Sequence, residues 1–167
     1  MDDLTRRHIL RAGAVAGAAL AITRPLTGQT PTQAIPDRGP RLDADLVREF
    51  VIAAHGNLER TKEMLEAQPA LVNATWDWGG GDWETGLGGA SHMGNRAIAE
   101  YLLARGARMD VFCATMLGKV EIVKTFLADD PKIVDLPGPH RIPLIRHAMA
   151  GRQDALVELL KAHGAKT

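Results

Sequence analysis

The sequence is poor in cysteine and in aromatic residues, and it carries no net charge. Its single cysteine, Cys113, cannot form a disulfide within the chain, and its apolar neighbours Val111 and Phe112 predict a buried residue rather than a reactive thiol. With 20 basic and 20 acidic residues, the chain lacks the positive excess that is typical of nucleic-acid-binding proteins. Three Trp, three Phe and one Tyr stand against a 46% share of hydrophobic residues, which predicts an aliphatic core in a single domain.

No apolar run in the sequence is long enough to span a bilayer. The run 12–22 has eleven residues, whereas a membrane-spanning helix needs roughly twenty. It follows Arg6 and Arg7 and precedes a stretch rich in Pro, Thr and Gln, so the N-terminus resembles a twin-arginine export signal. The alternative is an ordinary amphipathic helix. We predict an export signal with its exit segment at 1–29, a flexible linker at 30–41, and a periplasmic or secreted protein.

Four glycines divide the rest of the chain into units of similar pattern. They are Gly56, Gly94, Gly118 and Gly151. Apolar residues recur at helical spacing within each unit, and no alternating strand pattern competes with them. Pro69 and Pro131 each stand thirteen residues after one of these glycines and begin similar segments. The pattern predicts about four helix-turn-helix units in a domain that covers residues 42–167.

The unit around Gly94 is the best defined. Thr85 stands nine residues before this glycine, and Gly106 with Ala107 begins twelve residues after it. This arrangement resembles the ankyrin repeat, a helix-turn-helix unit with a period of about 33 residues, although Gly88 stands where the family has a His. The resemblance implies an all-α ankyrin-repeat solenoid, with some units degenerate, that binds another protein or a peptide.

The most unusual segment is 76–84, which holds all three tryptophans of the protein together with carboxylates and three consecutive glycines. Three glycines cost backbone entropy, so a segment that only connected two helices would gain little from them. We predict a recognition loop whose indoles and carboxylates contact a partner. The residues concerned are Trp76, Asp77, Trp78, Asp82, Trp83 and Glu84. The alternative is that the tryptophans fold back and cover the core.

The resemblance also implies a concave binding face, lined by the two residues before each central glycine. These pairs are Ala54-His55, His92-Met93, Met116-Leu117 and Met149-Ala150. Their histidine and methionine side chains predict an adaptable groove for a peptide or a helix, formed by His92, Met93, Met116 and Met149. They could instead pack beneath the loops. Soft-metal binding is not favoured, because these side chains come from separate units without a ligand motif, and we predict neither a metal nor another cofactor.

The sequence has no motif of a nucleophile elbow, a zinc protease or a phosphate loop. Three other histidines are predicted to be surface or capping residues: His140, His147 and His163. We therefore predict an exported, monomeric, non-enzymatic protein-binding module without a membrane span. One alternative is a small-ligand or carbohydrate binder that uses the tryptophans as a stacking pocket. Another is a hydrolase-like activity of Asp77, Asp82 and His92.

Overall fold

The computed structural model describes residues 39–166. The predicted export signal at 1–29 and most of the predicted linker at 30–41 lie outside the described residues. None of the described helices has both the length and the apolar composition that crossing a membrane requires.

The described part of the chain is mostly helical, which confirms the predicted helical content. Eight α-helices follow one another in four consecutive pairs. Their bounds are α1 Ala44–Ala54, α2 Leu58–Ala67, α3 Gly86–His92, α4 Arg96–Ala104, α5 Val111–Met116, α6 Val120–Asp129, α7 Leu144–Ala150 and α8 Asp154–Ala162. Each of the four central glycines lies in the turn between the two helices of a pair.

Short polar side chains mark where several of these helices begin. Four N-cap side chains accept a hydrogen bond from a backbone N–H of the first turn: Asp43, Asn57, Thr85 and Asp110. At the opposite ends of α3 and α5, Gly94 and Gly118 adopt left-handed φ values of +70° and +78°, which stop a helix. Caps and glycines thus keep the helices short, so each pair must pack against its neighbours to bury its apolar side.

The first helices of the four pairs pack in succession. Helix α1 contacts α3, α3 contacts α5, and α5 contacts α7. The buried apolar side chains of both helices of the pairs form two clusters, one drawn from residues 47–117 and the other from residues 111–160. Cys113 lies in the first cluster, where burial raises the pKa of its thiol to about 11. This cysteine is therefore buried and protonated at neutral pH, as the sequence predicts.

Two proline segments that look alike in the sequence also fold alike. Pro69–Asn73 and Pro131–Asp135 are both short 3-10 helices that follow the second helix of a pair. A third 3-10 helix, Pro139–Arg141, precedes α7. These segments carry the chain from one helix pair to the next.

One element departs from the helix-only prediction. Strands β1, Thr75–Asp77, and β2, Trp83–Thr85, form an antiparallel hairpin just before α3. The glycines at 79–81 make its turn, with φ values of +119°, +65° and +84°. Residues with a side chain rarely adopt such values. The glycine run thus has a conformational cause, independent of any role in recognition.

Candidate metal centre

Three histidines and one glutamate come together on one side of the hairpin. His55, Glu84, His92 and His140 each direct one nitrogen or oxygen into a common space, and these atoms all lie within 4.8 Å of one another. We call this group the His/Glu cluster. Its members come from four elements: the C-cap of α1, strand β2, the last residue of α3, and the 3-10 helix before α7.

Four distances within the His/Glu cluster are short enough for ligands that share one ion and also for hydrogen bonds. The shortest distance, 2.9 Å, joins Nε2 of His92 to Oε1 of Glu84. Oε2 of Glu84 lies 3.4 Å from Nε2 of His55 and 3.3 Å from Nε2 of His140. Nε2 of His92 and Nε2 of His55 are 3.1 Å apart. Two ligands bound at about 2.1 Å to one ion are separated by about 3.0 Å at a right angle and by about 3.4 Å at the tetrahedral angle.

Glu84 is the centre of the cluster and its least exposed member, with 1% of its surface exposed. The indole N–H of Trp78 donates a 2.8 Å hydrogen bond to Oε2. Oε1 has no aligned hydrogen-bond donor, although His92 lies close to it. Burial alone would raise the pKa of Glu84, but the approach of His92, the charge of His55 and the Trp78 hydrogen bond outweigh it and hold the pKa below its usual value. The side chain is thus a buried carboxylate that needs positive charge nearby.

His55 is oriented by the helix that it ends. Its Nδ1 lies 2.8 Å from the carbonyl oxygen of Val51, one turn earlier in α1. A carbonyl can only accept, so Nδ1 carries a proton and donates it to Val51. The side chain of Asn95 donates to the carbonyl of His55 and so ties this helix end to the turn before α4. In neutral His55, the nitrogen that faces the cluster therefore presents a lone pair.

His140 is oriented by a carboxylate. Both oxygens of Asp82 bind it: Oδ1 accepts from the backbone N–H of His140 at 2.8 Å, and Oδ2 lies 2.8 Å from Nδ1 of its ring. The backbone hydrogen bond, followed by the ring contact, holds the pKa of Asp82 below its usual value even though burial opposes the charge. A carboxylate that binds the outer nitrogen of a histidine is a common second-shell partner of a metal ligand.

The backbone conformation at His140 also indicates that Asp82 holds this residue in a defined orientation. His140 and Arg141 have φ values of +55° and +59°. Left-handed conformations in two consecutive residues other than glycine are strained by about 1–2 kcal/mol each. The two hydrogen bonds to Asp82 hold this conformation, which directs Nε2 of His140 toward Glu84.

In these tautomers, the lone pairs of His55 and His140 face the negative charge of Glu84. His55 and His140 are protonated on Nδ1, so in their neutral forms both present a lone pair toward the oxygens of Glu84. Lone pairs on nitrogen and a buried carboxylate repel one another. A hydrogen-bond donor or a positive charge at the centre relieves this repulsion, and a proton on Nε2 of His92 or a metal ion would each provide it.

Helix α3 leaves room for one of these rings. A Cβ atom added at Gly89 would lie 2.8 Å from two atoms of the His55 ring. At the preceding residue, Gly88, the nearest atoms would be 3.4 Å away, which is ordinary contact. Gly89 therefore lets the His55 ring lie against α3, beside His92.

The hairpin explains which residues of the predicted recognition loop reach the site. Alternate residues of a strand point to opposite faces, and Trp76 pairs with Glu84 across the hairpin. Trp78, Asp82 and Glu84 accordingly contact the cluster, whereas Trp83 is 59% exposed. Trp76 and Trp78 pack against the core, as in the alternative that the tryptophans cover it, whereas Trp83 does not, and its contact with a partner stays a prediction.

The other predicted site residues have different environments. Asp77 accepts a hydrogen bond from the N–H of Gly79 and serves the hairpin turn. Met93 and Met149 are 56% and 44% exposed. Met116 is fully buried in the core, so it cannot line a surface groove, and that part of the predicted concave face is wrong.

The three histidines that were predicted to be surface or capping residues have different environments. His163 is the exposed C-cap of α8, as expected for a capping residue. His147 is fully buried against Phe112 and is neither a surface nor a capping residue. His140 is one-third exposed, but it belongs to the cluster.

Two members of the cluster are absent from the predicted site: His55 and His140. The sequence places His55 on the predicted concave face and His140 in a turn, but it does not join them to each other or to Glu84. The local signal that does exist is the alternation Trp76-Asp77-Trp78 and Asp82-Trp83-Glu84 on either side of the glycines. This alternation is the signal from which a hairpin with Trp78, Asp82 and Glu84 on one face could have been predicted.

Comparison with protein-family models, with curated proteins and with solved structures finds no match for this chain. The interpretation of the site therefore rests on its geometry and its chemistry.

Proposed function

We propose that this protein binds one divalent first-row transition-metal ion through His55, Glu84, His92 and His140. The observation that carries the proposal is the buried carboxylate of Glu84, with one oxygen lacking a hydrogen bond, among three imidazole nitrogens 2.9–3.4 Å away. Three neutral imidazoles and one carboxylate are ligands that suit zinc, iron, nickel or copper.

The second shell supports a metal. Val51 and Asp82 accept from the outer nitrogens of His55 and His140, and the indole of Trp78 donates to Glu84. Such partners fix the tautomer and the orientation of metal ligands. Trp78 and Asp82, both predicted from the sequence to contact a partner directly, would then act by holding the ligands in place.

The competing explanation is a buried ion-pair cluster in which protons replace the metal. One or two protonated histidines would also neutralise Glu84. The two explanations differ in one measurable respect: an ion-pair cluster has no reason to bind Zn²⁺ tightly or to lose that binding when Glu84 alone is changed.

Competition for Zn²⁺ with a chromophoric chelator tests the proposal. The variant Glu84→Gln keeps the size of the side chain and removes its charge, and we expect the Kd for Zn²⁺ to rise by about 100-fold or more, since even second-shell changes cost 10–100-fold. His163→Gln is the matched control, because it removes an exposed histidine outside the cluster, and it should change the Kd by less than about twofold. Equal Zn²⁺ affinity of the wild type and Glu84→Gln would refute the metal centre.

A second function, binding of another protein or a peptide, is favoured by exposed apolar side chains. Trp83, Met93 and Met149 expose about half of their surface each, and such side chains frequently anchor partners. Four successive helix-turn-helix pairs support the reading of the domain as ankyrin-like repeats, a scaffold that usually binds proteins. On this proposal the protein is an exported binding module, and the metal stabilises the hairpin that carries Trp83. Replacement of Trp83 by Ala should then weaken partner binding and leave Zn²⁺ affinity unchanged.

A further inference from the structure

A cleft opens beside the His/Glu cluster. It has a volume of about 530 Å³, within the range of small-molecule sites. One wall contains His92 of the cluster. The others combine two arginines with apolar side chains: Arg141, Arg146, Ile142, Pro143, Met149 and Ala150.

The two arginines of this cleft have unused hydrogen-bonding capacity. Within residues 39–166, neither the guanidinium of Arg141 nor that of Arg146 forms an ion pair or a side-chain hydrogen bond. Arg96, by comparison, bonds both Glu100 and the carbonyl of Leu117. Five N–H donors on each free guanidinium form a ready binding surface for an oxyanion.

The charge around the cluster favours an anion once a divalent ion is present. The two carboxylates, Asp82 and Glu84, together carry two negative charges, which one divalent ion balances. The charge of Arg141, which acts on Asp82, and that of Arg146 then give the wall of the cleft a net positive charge. The field in the cleft becomes positive, and this strengthens the binding of an anion.

The apolar side chains narrow the class of ligand further. Ile142, Pro143 and Met149 line the same cleft as the arginines. An inorganic anion would leave these surfaces in contact with water, whereas an organic acid would cover them and place its carboxylate on the guanidinium groups.

We infer that this cleft binds a small organic carboxylate with an apolar body. Its carboxylate group contacts Arg141 and Arg146, and its apolar part lies on Ile142, Pro143 and Met149. The shared wall at His92 places this ligand beside the metal. The expected gain in ligand affinity on Zn²⁺ binding depends on the proposed metal centre. Binding of the carboxylate by Arg141 and Arg146 does not depend on it.

Calorimetric titration with hexanoate tests the inference, on protein with and without one equivalent of Zn²⁺. We expect hexanoate to bind the Zn²⁺ form about tenfold more tightly than the metal-free form. Arg146→Gln should weaken binding by about tenfold or more, because a charge-assisted hydrogen bond is lost. The control Arg48→Gln removes an exposed arginine of α1 outside the cleft and should change the affinity by less than about twofold.

The outcomes separate the two proposals. If Zn²⁺ binds and hexanoate does not, the organic-acid site is refuted and the metal centre stands. If hexanoate binds and Zn²⁺ does not, the metal centre fails and the arginine cleft stands. Two results overturn the inference whatever the metal does: equal binding of hexanoate by Arg146→Gln and the wild type, or binding of inorganic phosphate as tight as that of hexanoate. Circular dichroism of each variant verifies its fold.

Discussion

Two histidines, each on the first helix of its helix pair, have contrasting surroundings. His92 ends α3 and lies 2.9 Å from a carboxylate oxygen of Glu84. His147 lies in α7 against the ring of Phe112, with 5.0 Å between ring centroids, and Nε2 of His147 has no hydrogen-bond partner. The first histidine is therefore part of a polar cluster, and the second is a core residue.

The difference shows what determines the charge of a buried histidine. Burial lowers the pKa of His147; the hydrogen bond to the carbonyl of Pro143 and the charge of Asp110 oppose this effect only in part, and the charge of His92 adds to it. In the cluster, Glu84 is negatively charged. Burial alone would raise its pKa, but His92, His55 and Trp78 lower it. Burial disfavours the charged form of the lone imidazole of His147, whereas the three imidazoles of the cluster lie beside a carboxylate that favours positive charge.

The largest effect on Zn²⁺ binding is expected from a change that displaces the His55 ring and leaves the apolar core intact. In Gly89→Ala, the added methyl group would lie 2.8 Å from the His55 ring, and the ring must move away from the centre. We expect the Kd for Zn²⁺ to rise about 100-fold. The midpoint of thermal unfolding should change little, since better helix propensity, worth up to about 1 kcal/mol, offsets part of the crowding.

Gly88→Ala is the control for this change. It adds the same methyl group to the same helix, but its nearest neighbours are 3.4 Å away. Zn²⁺ affinity should remain within about threefold of the wild type. If Gly89→Ala and Gly88→Ala bind Zn²⁺ equally, the position of the His55 ring has no bearing on the metal.

A smaller effect is expected from the second shell of the cluster. Asp82→Asn keeps an acceptor for His140 but removes the charge that orients the ring and raises its basicity. We expect a loss of about tenfold in Zn²⁺ affinity, at the lower end of the range for second-shell partners.

Asp77→Asn provides the control within the same hairpin. Asp77 accepts only from the N–H of Gly79, on the other side of the hairpin from the cluster. Its replacement should leave Zn²⁺ affinity within about twofold. An equal loss in both variants would indicate that the change acts through the hairpin as a whole, not through His140.

Local features of this molecule could be predicted from the sequence, because helix periodicity, caps and glycine turns are local signals. Gly94, Gly106 and Gly164 have positive φ values at helix ends, where glycine commonly stops a helix, and Leu102, one of the apolar residues that recur at helical spacing, is fully buried. The composition of residues 76–84 predicts a recognition loop, and this role stays a prediction, although Trp78, Asp82 and Glu84 lie in or against the cluster. The hairpin was missed because its strands have only three residues each.

The His/Glu cluster could not be predicted in this way. His55 and His92 are 37 residues apart, and Asp82 and His140 are 58 apart. Contacts over such separations depend on how the helix pairs pack, and this packing cannot be inferred from the local patterns of a single sequence. The same limit explains His147 and Met116, whose burial follows from the contacts of α5 and α7 with each other.

The smallest expected effect concerns His147, the core histidine, and the pH dependence of the free energy of unfolding. Since the pKa of His147 is lowered in the folded state, the unfolded chain takes up a proton at about pH 6.5 while the folded protein does not. The free energy of unfolding therefore falls as the pH drops below about 6.5, by at most about 1.4 kcal/mol per pH unit for this one group.

His147→Leu should lack this component. Urea unfolding of both metal-free proteins between pH 7.5 and 5.5 measures it, because contributions from groups that do not interact with His147 cancel in the difference. Parallel profiles would mean that His147 gains its proton as readily in the folded protein as in the unfolded chain, and the contrast with the cluster would then rest on geometry alone.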